Sequence, residues 1–423
     1  MPATRAGRRT TRASPVSRTP PRASSSWPRR GGREVREGRL FSAPFALCFA
    51  ANLLQALAFN LFLHFPGFLQ QLGADEVQIG FVSALIAVSA IALRPPIGRR
   101  MDRRGRRGVI LAGGAVNVVA VALYLTVDRI GPWLYLVRVA HGFAEAMLFS
   151  ALFTYAADHV PSARRTQGIA LFGVSGMLPI ALGGAIGDWL LRDDDYRKLF
   201  LAALALAAAS LLLSLPLRDA KRSSAPATGP VGIVAALRQR DLQPIWLLGT
   251  VFSLALTAFF VFIKTFVEAH HVGTVGGFFS AYTAAALVLR AFFGWLPDRV
   301  GPKRTLAPAL AALAVGAALL ARAGSAADVA VAGLLCGFGH GYTFPILSGL
   351  VVARVHDANR GAALAVFTGL FDLGVLLGGP AFGLVIERAG YPTMFATAGA
   401  VVLAGAILFY TLDRPHKGDV PQR

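Results

Sequence analysis

A series of apolar stretches, each about 20 residues long, is the feature that most constrains this chain of 423 residues. A helix of that length crosses the hydrocarbon core of a bilayer, which is about 30 Å thick. The alternating segments of about ten residues that a membrane β-barrel requires do not occur. The sequence therefore predicts an all-α membrane protein with twelve transmembrane helices. We place them at 41–64, 76–97, 108–127, 132–156, 167–190, 198–216, 243–268, 272–296, 305–324, 326–353, 361–387 and 390–412.

A polar stretch divides the predicted helices into two sets of six. We expect an N-terminal six-helix bundle over 41–216, a cytoplasmic linker over 217–242 and a C-terminal six-helix bundle over 243–412. Residues 1–40 contain eleven Arg and two Glu among Ser, Pro and Gly, a composition that cannot bury enough apolar surface to fold. We expect a disordered basic cytoplasmic tail at 1–40 and a cytoplasmic tail at 413–423. Arg- and Ser-rich, acid-poor N-termini also resemble transit peptides, so a targeting role for the first tail stays open.

The formal net charge of +20 would ordinarily point to nucleic acid, so the position of the basic residues matters. If both termini are cytoplasmic, the cytoplasmic segments contain 32 Lys and Arg and the opposite loops contain 6. This excess predicts cytoplasmic termini, because basic residues concentrate on the cytoplasmic side. We expect an integral protein of a bacterial plasma (inner) membrane. We expect no nucleic-acid partner, because the basic tail has no stacking aromatic residue besides Trp27.

The loop after the second predicted helix recurs after the eighth. Four residue types repeat at one offset of 196 positions, and a His-Gly pair of the fourth helix repeats in the tenth at an offset of 199. The coincidence indicates two related halves in the same orientation. The pairs are Arg94 and Arg290, Gly98 and Gly294, Asp102 and Asp298, Gly105 and Gly301, and then His141-Gly142 and His340-Gly341.

The first loop, Gly98-x-x-x-Asp102-x-x-Gly105-Arg106-Arg107, resembles the signature loop of the major facilitator superfamily. The loop from Gly294 to Arg304 resembles its degenerate second copy. The stretch Arg138-x-x-His141-Gly142 resembles the R-x-x-x-G element of that family's fourth helix. The resemblance covers residues 41–412, and it implies the major facilitator fold and secondary transport by alternating access.

The family ascribes a conformational role to these loops, and physical arguments agree with that role. Gly98 lets helix ends pack closely, and Asp102 is suited to face the positive N-terminal end of another helix. The Arg residues are suited to pair with carboxylates and anionic headgroups on the cytoplasmic side. Alternatively, these charges only set the topology. The resemblance implies a conformational switch composed of Arg94, Gly98, Asp102, Gly105, Arg106, Arg290, Gly294, Asp298, Gly301 and Arg304.

Ionisable side chains at membrane depth are costly, and we treat each one as a candidate functional residue. Arg138, His141 and Glu145 follow one another at helical spacing in the fourth helix, with Arg138 and Glu145 on one face. Glu145 is a candidate proton carrier, and Arg138 is suited to bind an anionic substrate. Alternatively, the two form a structural ion pair that joins the fourth helix to the first.

Further polar residues interrupt the apolar runs. Asp372 lies in the middle of the eleventh helix without a basic neighbour in sequence, and His340 lies in the tenth. Polar side chains along the first helix line a cavity or join helices. Lys264 and Glu268, four residues apart, are expected to satisfy each other. We predict a pathway for substrate and protons that contains Asn52, Asn60, Arg138, His141, Glu145, His340 and Asp372.

These observations favour a secondary active transporter that moves a small organic molecule, by proton-coupled efflux. The alternative is a proton-coupled importer of a sugar, an organic acid or another metabolite. The fifth-helix stretch Pro179-Ile-Ala-Leu-Gly183-Gly184 departs from the exporter pattern G-P-x-x-G-G, which weakens the assignment of efflux. A membrane receptor that does not transport is a remoter alternative. We expect no enzyme, cofactor or metal site, because no Walker loop, zinc motif or nucleophile elbow occurs. The partners we expect are the substrate, protons and the lipid bilayer, and we expect a monomer.

Overall fold

The computed structural model describes residues 42–161, 164–219, 230–355 and 360–413. Within those ranges the side chains of 94, 95, 102, 165, 166 and 230–233 are also not described. The tail predicted at 1–40, and residues 414–423 of the tail predicted at 413–423, lie outside the described residues. The described parts are helical and contain no β-strand, as the sequence predicts.

The described residues form eleven helical runs that are long and apolar enough to cross a membrane. The last run, Arg360–Leu412, has 53 residues and would extend about 80 Å as one straight helix, which exceeds twice the bilayer core. It breaks at Gly390, whose φ is 79°, and so provides two helices. The helices are α1 (Ala43–Gln71), α2 (Glu76–Arg104), α3 (Arg107–Thr126), α4 (Pro132–His159), α5 (Arg165–Leu190), α6 (Tyr196–Ser214), α7 (Arg240–His270), α8 (Val275–Phe293), α9 (Pro302–Leu320), α10 (Ala326–Arg354), α11 (360–389) and α12 (391–412).

Two short helices, Pro230–Arg238 and Leu296–Val300, precede α7 and α9. The fold is therefore a twelve-helix membrane protein with six helices in each half, as predicted.

Two predicted boundaries lie seven residues too early. The first helix was expected to end at residue 64, but α1 continues to Gln71. The second helix was expected to end at residue 97, but α2 continues to Arg104, so Gly98 and Asp102 belong to a helix and not to a loop. The physical reason is that the Arg and Met residues of this stretch are good helix formers, so the helix continues after it leaves the membrane. In the second half, Asp298 likewise lies in a short helix, Leu296–Val300.

Gly105 and Gly301 end these two helical segments at equivalent points of the halves. Their φ angles are 89° and 106°, in the region that side chains with a Cβ rarely adopt. Both glycines are buried and lead directly into the next membrane helix, α3 or α9. The repeated Gly therefore allows the sharp reversal between two antiparallel helices. We call this side of the molecule the basic face, and the side with the turns 72–75 and 271–274 the turn face.

The halves also repeat one close helix crossing. A Cβ on Gly142 of α4 would lie 2.9 Å from the Cα of Ile86 on α2. A Cβ on Gly341 of α10 would lie 3.3 Å from the Cα of Ala286 on α8. Small residues let helix backbones approach in this way in membranes, where dispersion contacts are a main source of helix association. The crossing fixes the position of α4 and α10, which hold the ionisable side chains described next.

Candidate functional site

A chain of hydrogen bonds joins three helices of the N-terminal half. The Nε2 of Gln55 on α1 donates to the Oε1 of Glu145 on α4 over 2.5 Å. The Oε1 of Gln55 accepts from the Nδ2 of Asn117 on α3 over 3.0 Å. Gln55 and Asn117 are buried, and Glu145 keeps 16% of its side-chain surface exposed. A polar group without a partner would be costly here, so these bonds hold the carboxylate at a defined position.

His141 lies one helical turn before Glu145 on α4. Its Nε2 is 3.9 Å from the Oε1 of Glu145, and its Nδ1 is 3.3 Å from the hydroxyl of Tyr124. The ring packs edge-on against Phe62 of α1, with 4.6 Å between the ring centroids. The imidazole therefore lies between an acid and a phenol, an arrangement that can pass a proton between neighbours.

Arg138 is buried against aromatic rings. It does not form the ion pair with Glu145 that was the alternative prediction, and it makes the following contacts instead. Its Nε and NH2 donate to the backbone carbonyls of Val82 and Ser83 on α2, over 3.3 Å and 3.4 Å. Its guanidinium carbon lies 4.4 Å from the centroid of the Phe65 ring, a cation–π distance. The buried NH1 has no hydrogen-bond partner among the described residues. Arg138 thus retains one donor for another group.

The two asparagines predicted for the pathway make different contacts. The Nδ2 of Asn52 donates to the Oγ of Ser175 on α5 over 2.8 Å and so joins α1 to α5. The Nδ2 of Asn60 donates to the carbonyl of Ala56, one turn earlier in its own helix. Asn60 is buried, and its backbone packs where Gly183 of α5 leaves room. Asn52 therefore forms a polar contact between two helices, whereas the side chain of Asn60 bonds within its own helix.

The C-terminal half surrounds its histidine with aromatic rings. The hydroxyl of Tyr282 on α8 is hydrogen-bonded to the Nδ1 of His340 on α10. The ring centroid of Phe252 on α7 lies 5.5 Å from that of His340, and Phe344 lies 6.5 Å away. Asp372 is half-buried in the middle of α11, five residues after Phe367. The structure therefore places His340 and Asp372 on separate helices of this half.

The switch residues lie at the basic face, with unequal contacts in the two halves. The Nε of Arg106 pairs with the Oδ2 of Asp158 at the end of α4 over 2.9 Å. A Cβ on Gly105 would collide with the carboxylate of Asp219, which accepts from the backbone N–H of Arg106 over 2.7 Å. The side chains of Arg94 and Asp102 lie outside the described residues, and Gly98 has open space beside it.

Among the switch residues whose side chains are described, those of the second copy are more exposed than those of the first. Its exposed members are Arg290, Gly294, Asp298 and Arg304, and only Gly301 is buried.

Several residues of the network were missing from the predicted pathway. Gln55 is one of the polar side chains of the first helix, but its bond to Glu145 spans 90 positions of the sequence. Asn117 and Tyr124 of α3 give a weak signal, since each is a single polar group in an apolar run. The predicted pair of Lys264 and Glu268 does form an ion pair on α7.

The sequence over residues 45–326 and 245–423 matches the profile of the Major Facilitator Superfamily. The chain belongs to this family.

Two bacterial relatives are likewise named as transporters of the MFS type. The MFS-type transporter YhhS of Escherichia coli (strain K12) is 24% identical over 368 residues, which cover 84% of this chain and 89% of YhhS. The MFS-type transporter STM4428 of Salmonella typhimurium (strain LT2) is 25% identical over 358 residues, which cover 82% and 90% of the two chains. This major facilitator is therefore a membrane transporter and not an enzyme.

Two solved structures share its fold. The nucleoside transporter NupG superposes with a TM-score of 0.74 at 16% identity, over 89% of this chain and 100% of NupG. The human organic anion transporter MFSD10 superposes with a TM-score of 0.65 at 20% identity, over 86% and 98% of the two chains. At such identities the likeness establishes the fold of this major facilitator and leaves its substrate open.

Proposed function

We propose that this transporter moves a small organic molecule by alternating access and exchanges it for protons, so that the substrate leaves the cell. The observation that carries the proposal is the position of Glu145. The carboxylate lies in the middle of α4, is hydrogen-bonded to Gln55 and has His141 3.9 Å away. An acid held at membrane depth beside a second titratable group has the chemistry of a proton relay.

Arg138 supports a role in substrate binding within the same proposal. It is buried and it retains an NH1 donor without a partner among the described residues, next to the ring of Phe65. A guanidinium of this kind binds carboxylate or phosphate groups well. We therefore favour an anionic or strongly polar substrate, which reaches Arg138 when the halves separate.

The orientation and the two-domain division belong to the proposal as well. With cytoplasmic termini, the basic face lies in the cytoplasm, which agrees with the excess of Lys and Arg there. The N-terminal bundle is 41–216, the linker is 217–242 and the C-terminal bundle is 243–412, each bundle moving as one body. We infer a monomer in a bacterial inner membrane.

Import by proton symport is the second candidate, favoured by one observation. The fifth-helix stretch has Gly183 and Gly184 but no Pro at the position where exporters of the family have one. The two candidates share the proton relay and differ in the direction of the substrate.

Inverted membrane vesicles with an acidic interior test both candidates. An exporter accumulates substrate in them, whereas a symporter accumulates substrate in intact cells at acidic external pH. Glu145→Gln is expected to lower proton-driven accumulation at least tenfold and to retain passive counterflow, because the amide keeps the bond to Gln55 but does not titrate. Asp372→Asn tests the second acid in the same way. Proton-driven accumulation at the wild-type level in both variants would refute the relay.

A further inference from the structure

Two carboxylates reach across the boundary between the halves at the turn face. The Oδ2 of Asp188, at the end of α5, accepts from the backbone N–H of Gly276 in α8 over 2.7 Å. The Oε1 of Glu387, at the end of α11, accepts from the backbone N–H of Val77 in α2 over 3.0 Å. Each bond therefore runs from a side chain of one half to the main chain of the other.

These two bonds are equivalent under the internal repeat. Asp188 and Glu387 are 199 positions apart, and so are Val77 and Gly276. The offset equals that of His141 and His340, which repeat in α4 and α10.

The donors are unused groups at the first turns of α2 and α8. A helix leaves its first four N–H groups without partners inside the helix. In α2 the Oδ1 of Asp75 takes the N–H of Gln78 over 2.7 Å, and in α8 the Oγ1 of Thr274 takes the N–H of Gly277 over 3.0 Å. Each helix is thus capped locally at its third residue, and its second residue is capped from the opposite half.

Close packing brings the carboxylates within reach. A Cβ on Gly184 of α5 would lie 3.1 Å from the Cα of Gly276, and a Cβ on Gly383 of α11 would lie 2.8 Å from the Cα of Val77. Gly184 and Gly383 are again 199 positions apart. Any separation of the halves at the turn face breaks both hydrogen bonds and both glycine contacts.

We propose that Asp188 and Glu387 form a paired latch that holds the turn face closed and sets the balance between the two access states. Asp188 and Glu387 are positioning residues in this scheme, since they act on the helices and do not touch the substrate. The positive end of a helix attracts a carboxylate, and water replaces that carboxylate readily when the helices separate. Such a bond is therefore strong enough to bias an equilibrium and weak enough to break in every transport cycle.

Distances between spin labels at the turn face test the latch without any substrate. Arg129→Cys in the α3–α4 turn and Arg322→Cys in the α9–α10 turn place labels at exposed positions in opposite halves. The native Cys48 and Cys336 are buried. Double electron–electron resonance then measures the ratio of long to short distances in the detergent-solubilised full chain.

Removal of either carboxylate is expected to open the turn face. Asp188→Ala and Glu387→Ala should each raise the ratio of long to short distances about tenfold, and the double variant about a hundredfold, because each cap contributes independently. Asp188→Asn should have a smaller effect, since its amide oxygen still accepts a hydrogen bond but has no charge. Should Asp188→Ala fail to fold, Asp188→Asn and the exposed Glu387→Ala complete the test.

Asp195→Ala is the matched control. Asp195 accepts from the N–H of Arg197 over 3.0 Å at the start of α6, so this substitution removes a carboxylate cap that lies within one half. It should leave the distance ratio at the wild-type value. The latch is refuted if Asp188→Asn and Glu387→Ala leave the ratio unchanged, or if Asp195→Ala raises it equally. Neither result depends on proton coupling, because no proton gradient exists in detergent solution.

Discussion

The two halves place a histidine at the same point of the fold, His141 on α4 and His340 on α10, but surround it differently. In the N-terminal half the residue one turn later is Glu145, bonded to Gln55 of α1. At the corresponding positions, offset by 199 and 197, the C-terminal half has Phe344 and Phe252. One copy of the repeat therefore has the chemistry for protons, and the other has aromatic surface. We therefore expect an unequal division between the halves, in which the pH dependence of transport rests on the site around Glu145 and not on the equivalent site around Phe344.

The largest effect is expected when Gln55, the residue that binds Glu145, is replaced. Gln55→Leu removes the shared hydrogen-bond partner of Glu145 and Asn117, at a cost of about 1–3 kcal/mol for each of the two groups. Transport should fall at least tenfold, and its dependence on pH should shift. Phe344→Leu in the other half should change the KM for substrate and leave the pH dependence as it is. A shifted pH profile in Phe344→Leu would contradict the division between the halves.

The next effect concerns two acids at the basic face, Asp413 and Asp219, which bind the start of α9 and of α3. Asp413 is buried and accepts from Arg354 over 2.6 Å and from Lys303 over 2.6 Å. Asp219 is exposed and accepts backbone N–H groups of Arg106 and Arg107. Asp413→Ala should therefore lower the free energy of unfolding by about 3–5 kcal/mol, and Asp219→Ala by about 1 kcal/mol. Chemical denaturation in detergent measures both, and equal losses would contradict the comparison.

Asp413 also gives a pH dependence. Its burial tends to raise the pKa, but the hydrogen bonds and charges of Arg354 and Lys303 outweigh burial and hold the pKa below its ordinary value of 3.8. An acid with a depressed pKa in the folded state contributes stability above its unfolded pKa and loses it as the pH falls through the folded pKa. The wild type should thus lose stability below about pH 4 by this route. Asp413→Asn should lack that component in a thermal unfolding series.

The smallest difference between paired variants is expected at the repeated glycines of the α2–α4 and α8–α10 crossings. A Cβ on Gly142 meets the Cα of Ile86 at 2.9 Å, which is too close, whereas one on Gly341 meets Ala286 at 3.3 Å. Gly142→Ala should cost about 1–3 kcal/mol, and Gly341→Ala less than about 1 kcal/mol. Thermal unfolding of the two variants in the same detergent measures the difference, and the reverse order would contradict it.

The fold was predictable from the sequence for two reasons. The thickness of the bilayer fixes the length of each apolar run, and the same residue types recur at one offset in the loops of both halves. The helix ends were less predictable. The offset between the halves is 199 at the start of α2 and α8 but 196 at Gly98 and Gly294, so α8 lacks about one helical turn relative to α2. The helices differ at this end, since α2 continues through Asp102, whereas α8 ends at Phe293 and a separate short helix contains Asp298.

The candidate site was predictable only in part. Arg138, His141 and Glu145 were recognised because an ionisable side chain in an apolar run is costly at membrane depth. Their partners do not, since Val82, Gln55 and Tyr124 come from three other segments and one of them contributes only a carbonyl oxygen. The capping role of Asp188 and Glu387 was missed for the same reason, because the donors are main-chain groups and leave no trace in the residue types.

Because main-chain groups are the donors, the two bonds between the halves tolerate substitutions at the donor positions. The backbone N–H of Val77 and of Gly276 survives any substitution other than proline, so one partner of each of these two bonds cannot be lost by ordinary mutation. The acceptors are the only side chains in these two bonds, Asp188 in one copy and Glu387 in the other, and both are acids. The two halves are therefore equivalent in these bonds at the turn face, whereas at the histidine sites one half has Glu145 and Gln55 where the other has Phe344 and Phe252.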